Sequence, residues 1–494
     1  MKKSFKHKLL PFAVMSTLAI GSLTGCAAVE DKVGAEKGSA EQAVTNNQSI
    51  THAEAVAKIK EENPEIKNVI FLIGDGMGQP YMTAHRYMKD NPKTPEIELT
   101  SFDKHFLGVQ TTHSEDEKEN ITDSAAAATA MSGGKKTYNN AIAVDHNHTP
   151  IKTVLEQAKE NGMSTGLVST SEITHATPAS FGAHDESRKN MDEIADDYYD
   201  EKVNDEHKVD VLLGGGKLNF VRDDRDLTKE FKKDGYNYVT NMKELNKNKN
   251  EQVLGLFADE GLDKAIDRNK ETPSLEQMTN SALKQLSKND DGFFLMVEGS
   301  QIDWAGHDND IVAAMSEMED FEKAFNSAVE FAKKDKHTLV VTTADHSTGG
   351  FSLGANDEKG EGIYNWLTDP IKAAKKTPDY MAKKIVEGAD VEKTLRENIK
   401  LELKPEEIAA VKEAAKTGDE LKIDDAIEDI FNKRSYTGWT TSGHTGEEVG
   451  VYGYGPGKEM FSGFMDNTEQ AENIFYILEN MQGKDKDKDE KDED

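Results

Sequence analysis

The chain has 494 residues, with 92 Asp and Glu against 60 Lys and Arg, and a formal net charge of −32. So acidic a surface repels nucleic acid and anionic membranes, which argues against any role needing a basic face; it could hold an anion only where metal ions reverse the local sign. Cys26 is the single cysteine, so no intramolecular disulfide can form.

At the N-terminus, Lys2, Lys3, Lys6 and Lys8 precede an apolar stretch over 9–23, the pattern of an export signal and too short to span a bilayer in the usual way. Leu23-Thr24-Gly25-Cys26 resembles a bacterial lipobox. Residues 1–25 are therefore expected to be a lipoprotein signal peptide, with Cys26 lipidated. The protein is expected to be exported and lipid-anchored, at the outer face of the cell membrane or in the periplasm or outer membrane. Residues 26–60 read as a polar tether and 61–482 as one folded domain. The run 483–494, nearly all Lys, Asp and Glu, reads as a disordered tail.

Within 61–482, short apolar runs alternate with helical segments. That pattern predicts an α/β fold, a single large domain with a mainly parallel central sheet flanked by helices. Candidate strands are 68–73, 164–169, 209–213, 293–297 and 339–342. Three of them run into an acid: Asp75, Glu298 and Asp345. Ligands of open α/β sheets bind beyond the carboxyl ends of the strands, so these acids are expected to converge. The charged regions 219–287 and 358–435 read as helical insertions at the rim, and Gly214-Gly215-Gly216 as a tight turn.

Thr122-Asp123-Ser124 heads the alanine-rich run to Met131, which predicts a helix. Its N-terminus would set the Ser124 hydroxyl among converging backbone N–H groups, a place for a nucleophile meeting an anion; a plain helix cap is the alternative. Asp303 and His307 are four apart, on one face of any helix there. Asp345-His346 follows a strand, and His444 lies in the glycine-flanked loop Ser442-Gly443-His444-Thr445-Gly446. In a chain with no usable thiolate, Asp, Glu and His are suitable ligands for zinc and magnesium.

In order along the chain stand Gly74-Asp75-Gly76-Met77-Gly78, Asp123-Ser124-Ala125, His175-Ala176-Thr177-Pro178, Ser187-Arg188, the run Glu298 to His307, Ala344-Asp345-His346 and Gly443-His444-Thr445-Gly446. Each is weak alone; in this order they resemble the alkaline phosphatase family, over nearly all of residues 65–480. The resemblance implies a metal-dependent phosphoric monoester hydrolase that attacks with Ser124 and forms a phosphoseryl intermediate. It implies two zinc ions and one magnesium. Asp303, His307 and His444 would hold the first zinc, and Asp75, Asp345, His346 and the Ser124 oxygen the second. Asp75, Thr177 and Glu298 would hold the magnesium, and Arg188 would grip two phosphate oxygens. His175 stands where some members carry Asp, and Trp304 where they carry Lys; both, with Asp123, are expected just behind the ligands, and an imidazole there favours zinc over magnesium in the third site. A homodimer is expected, with a monomer as the alternative. Competing readings are a phosphodiesterase or sulfatase of the same superfamily, and an acidic lipoprotein that only binds metal or solute.

Overall fold

The segment Asn68–Gly74 (β1) is buried along its whole length, as a central strand covered on both faces must be. It belongs to a computed structural model that describes residues 51–357 and 359–482. The expected signal peptide, Cys26 and the charged run 483–494 lie outside the described residues. Among those residues no helix is long and apolar enough to cross a membrane.

Ten strands form one sheet: β1, β2 (Phe106–Thr111), β3 (Ser164–Glu172), β4 (Val211–Gly215), β5 (Asn237–Val239), β6 (Val253–Leu256), β7 (Phe293–Gly299), β8 (Thr338–Ala344), β9 (Val449–Tyr454) and β10 (Gly463–Asp466). Their order is β10-β2-β9-β8-β1-β7-β3-β4-β6-β5. All neighbouring pairs are parallel except the two that β9 makes, with β8 and β2. Side chains of β1 alternate between two cores: Ile70 and Leu72 join one, Val69, Phe71 and Ile73 the other. A single domain with a mainly parallel sheet is what the alternating pattern predicted.

Register positions the site. Gly74 of β1 lies beside Ala344 of β8 and Gly299 of β7, and Ile73 lies beside Glu298. Asp75 and Asp345 therefore leave adjacent strands in step, with Glu298 opposite. With strands roughly 4.8 Å apart, the three carboxylates must share one edge.

Two expectations need correction. The region 219–287 is not purely helical, because β5 and β6 lie within it and extend the sheet; their shortness hid them among charged neighbours. The last residues of the expected tether fold as the helix His52–Glu62, closed by a capping box between Thr51 and Glu54 and burying Ala55 and Ile59. By contrast 358–435 is helical in its longer elements, ending in Glu420–Ser435. Gly214 and Gly215 sit in β4, and Gly216 turns the chain at φ 89°.

Candidate active site

The helix Ser124–Gly133 is buried at every position, and its small side chains let it pack closely on the helix Ala176–Gly182. Asp123, not Ser124, caps it: Asp123 Oδ1 accepts from the Ala126 N–H at 3.0 Å. The Ser124 hydroxyl is thus free of capping and lies 3.1 Å from His346 Nε2. Asp123 Oδ2 accepts from the Asn140 N–H at 3.0 Å and from Arg188 Nη1 at 3.1 Å. The other arm of Arg188, Nη2, lies 3.2 Å from His175 Nε2. Burial, then Arg188, lowers the His175 pKa to about 3, so this imidazole is neutral and accepts from the guanidinium. Its ring meets Trp304 edge-on at 5.8 Å.

Beyond the strand ends the other predicted residues gather. Asp303 and His307 share the helix Gln301–Asp308, with His307 Nε2 3.3 Å from Asp303 Oδ2. His444 Nε2 lies 3.6 Å from Asp303 Oδ1 and 3.1 Å from His307 Nε2. His444 is not in a loose loop: with Thr445 it pairs to Ser347–Thr348, which stacks its ring on His346 at 3.6 Å. His307 Nδ1 donates to the Ser442 carbonyl at 2.6 Å and His444 Nδ1 to the Thr122 carbonyl at 2.9 Å. Both Nε2 atoms are thereby turned toward one point, where a cation would take the place of a ring proton. His346 Nε2 lies 3.2 Å from Asp345 Oδ2 and 3.5 Å from Asp75 Oδ1. Three groups have donor atoms close enough to share an ion: Asp303, His346 and His444; Asp75, Asp345 and His346; and Asp75, His175 and Glu298. Thr177, buried on the helix Ala176–Gly182, completes the set.

Sequence reasoning missed the supporting hydroxyls and backbone. Thr348 Oγ1 donates to Asp303 Oδ1 at 2.5 Å, and Ser300 and Ser171 donate to Glu298 Oε2 at 2.6 and 3.3 Å. Gly76 donates its N–H to Asp345 Oδ1 at 3.0 Å. It turns at φ 69°, and a Cβ there would sit 2.7 Å from Thr348 Oγ1, so both conformation and space require glycine. The Gly-Asp-Gly spelling was the one available signal for it.

Of the four acids in the cluster, Asp303 has a cationic partner in His307, whereas Asp75, Asp345 and Glu298 crowd together. Burial, with Asp345, Asp303 and Glu298 nearby, pushes Asp75 well above the usual carboxylate range. Burial likewise pushes Asp345 and Glu298 up to about 7. Asp303 goes the other way: burial opposes its ionisation, but the hydrogen bond from His307 and the surrounding imidazoles hold it below the usual range. Against burial, that same bond raises His307 to about 9. Among the described residues none of these four carboxylates has a Lys or Arg ion pair. Both Asp75 oxygens, Asp345 Oδ2, Glu298 Oε1 and Thr177 Oγ1 are buried without a hydrogen bond. Burying bare carboxylates costs several kcal/mol each unless cations join them, so this donor set of oxygens and imidazole nitrogens fits divalent metal ions.

A family model described as alkaline phosphatase matches residues 66–480. A Bacillus subtilis protein named alkaline phosphatase 3 is 62% identical over 480 residues, which is 97% of this chain and 98% of the relative. The chain belongs to the alkaline phosphatase family. Alkaline phosphatase 4 of the same organism is 55% identical over 96% of the chain and 98% of its own length. Among solved structures, the cold-active alkaline phosphatase of a psychrophilic Shewanella sp. superposes with a TM-score of 0.78 at 41% identity, covering 83% of this chain and 99% of that one. As an alkaline phosphatase family member the chain is a phosphoric monoester hydrolase of a metal-dependent family, and its strand-end groups are capable of holding metal.

Proposed function

We propose that the chain hydrolyses phosphate monoesters through a phosphoserine on Ser124. Asp303, His307 and His444 hold one zinc ion; Asp75, Asp345, His346 and the Ser124 oxygen hold a second; Asp75, Thr177 and Glu298 hold a magnesium ion. The observation that carries this reading is the Ser124 hydroxyl, not used as a cap at its helix N-terminus and 3.1 Å from His346, beside the buried carboxylates of Asp75 and Asp345, which among the described residues have no Lys or Arg partner. Bound there, the ions would supply Lewis acidity that favours the Ser124 alkoxide and offsets charge on the phosphoryl and leaving oxygens.

The chain's own groups do the rest. Asp123 and neutral His175 pin two arms of Arg188, leaving its remaining N–H groups for two non-bridging phosphoryl oxygens, a planar match that Lys cannot make. Ser124 Oγ bonds to phosphorus as the ester oxygen departs on the opposite side. A cavity of about 490 Å³ lined by residues including Ile121, Asp123, His307 and His444 gives the leaving alcohol room. Water then attacks the phosphoserine from the vacated side and releases phosphate; two inversions give net retention at phosphorus. The Ser124 nucleophile, Arg188 and the Glu298 ligand set favour monoesters over diesters. Export and a lipid on Cys26, and a homodimer, complete the reading.

Hydrolysis of p-nitrophenyl phosphate by the purified chain tests it, before and after chelation, with zinc and magnesium restored, and with Ser124→Ala alongside. Activity lost on chelation, regained with the two metals and abolished in the variant is expected. Hydrolysis of the bis-ester alone would replace it with a diesterase reading, and inertness on both would leave a binding protein.

A further inference from the structure

The cavity beside the nucleophile has a wall that the hydrolytic reading leaves unused. Glu119, Ile121 and Asn139 line it together with His307 and His444. No Lys or Arg is among its lining residues, and Lys118, next to Glu119 in the chain, is not one of them. Asn139, only 7% exposed, fixes this wall. Its Nδ2 donates to Glu119 Oε2 and to the Ile121 carbonyl, each at 3.1 Å, and its Oδ1 accepts the Asp123 N–H at 3.1 Å. The Asn139 N–H donates to Asp116 Oδ2 at 3.2 Å, and Asp116 Oδ1 accepts the Glu119 N–H at 3.1 Å. Glu119 is thereby held, side chain and backbone, on the segment that leads into Ser124. It is exposed, and among the described residues its carboxylate has no ion pair. Ile121, 40% exposed, adds apolar surface; it lies over the His444 loop, where a Cβ on Gly446 would meet its Cγ1 at 3.4 Å.

We infer that Glu119 selects among phosphate monoesters by the charge of the leaving alcohol. This rests on Ser124 as the nucleophile, which sends the ester oxygen out on the side opposite Ser124 Oγ, into this cavity. An alcohol with an ammonium group on an apolar stem is favoured over an uncharged one, and both over an alcohol bearing a further anion. With its phosphoryl group at Arg188, such a zwitterionic ester meets a fixed charge of the right sign at each end and Ile121 along its stem. Glu119 touches the alcohol rather than phosphorus, so it sets specificity and takes no part in the displacement. Its exposure limits the effect to a few-fold, as for other solvated ion pairs.

The test measures kcat/KM of the metal-loaded full chain for phosphocholine and for neohexyl phosphate, the uncharged isostere in which carbon replaces nitrogen. The two alcohols differ in leaving ability, so the change in their ratio between wild type and variant is the readout. Glu119→Gln is expected to lower the phosphocholine-to-neohexyl ratio by about two- to fivefold, and Glu119→Lys to lower it further, with phosphoglycolate gaining on neohexyl phosphate in both. Glu413→Gln removes the same charge from an exposed position on the helix Pro405–Ala415, outside the cavity, and is expected to leave the ratio as in wild type. An unmoved ratio in both Glu119 variants, with neohexyl phosphate still hydrolysed, overturns this inference and leaves the phosphoserine reading standing. An equal fall in Glu413→Gln also overturns it, since the preference would then belong to the field of the whole acidic surface. A wild type that hydrolyses none of these esters overturns both readings together.

Discussion

Two acid and imidazole clusters in this protein use the same residue types to opposite ends. Around Glu156, His184 and Glu201, the imidazole lies 3.2 Å from Glu201 and 3.6 Å from Glu156, close enough for the three to share an ion. Yet Lys208, 1% exposed, sits among them, paired with Glu201 and 3.5 Å from Glu156, so the cluster carries its own cation. At the strand ends, among the described residues, no Lys or Arg pairs with Asp75, Glu298 or Asp345, and the nearby Arg188 is committed to Asp123 and His175. A neutralised cluster is structural, whereas a bare buried one awaits ions from outside. Ligand-type residues in proximity do not make a metal site; the missing counter-charge does.

The comparison is broken first at Ser124. Ser124→Ala is expected to lower kcat on a phosphate monoester by at least about a thousandfold, as loss of a nucleophile does elsewhere, with the melting temperature of the metal-free protein unchanged; retained activity would move the chemistry elsewhere. Next, Lys208→Met removes the internal cation and leaves the half-buried Glu156 and Glu201 with only His184 beside them, a loss of about 1–3 kcal/mol readable by denaturant unfolding. Zinc content is expected to stay the same, and a new ion bound at this cluster would blur the distinction. Arg188→Lys keeps the charge but loses the fork, and is expected to reduce kcat/KM by about tenfold or more, with Asp123 still capping its helix.

The smallest effect is in pH. Asp75, Asp345 and Glu298 have folded-state pKa values above their unfolded values of about 4. Their contribution to the metal-free fold is therefore full below about pH 4 and is lost as pH rises through the folded values, about 7 for Asp345 and Glu298. Ions need the ionised carboxylates, so the loaded protein gains over the same range. The melting-temperature gap between loaded and chelated protein is expected to widen from about pH 5 to about pH 7.5; a constant gap would mean that these groups do not titrate on ion loading.

The strands whose side chains are buried on both faces were legible because an apolar run ending in an acid has few other readings. Asp75, Glu298 and Asp345 needed only the parallel register to meet. β2, β9 and β10 were not legible: Gly108, Gly450, Gly453 and Gly463 interrupt them, and the burial of β2 and β10 is partial or alternating. β5 and β6 are too short to stand out from charged surroundings. In the site, Asp303 and His307 announced themselves by helical spacing. His444 needed the register of a two-residue ribbon, and Thr348, Ser300 and Ser171 carry no local signal, since a hydroxyl that steadies a carboxylate looks like any other hydroxyl in the chain.

The central claim is that the bare strand-end cluster exists to make a phosphate ester of Ser124. Mixing the metal-loaded protein with inorganic phosphate at mildly acidic pH, quenching in strong acid and mapping phosphopeptides by mass spectrometry tests it directly. The account predicts one modified residue, Ser124, and none after chelation. Phosphate on another residue, or no phosphoprotein from an enzyme that still turns over, would contradict it.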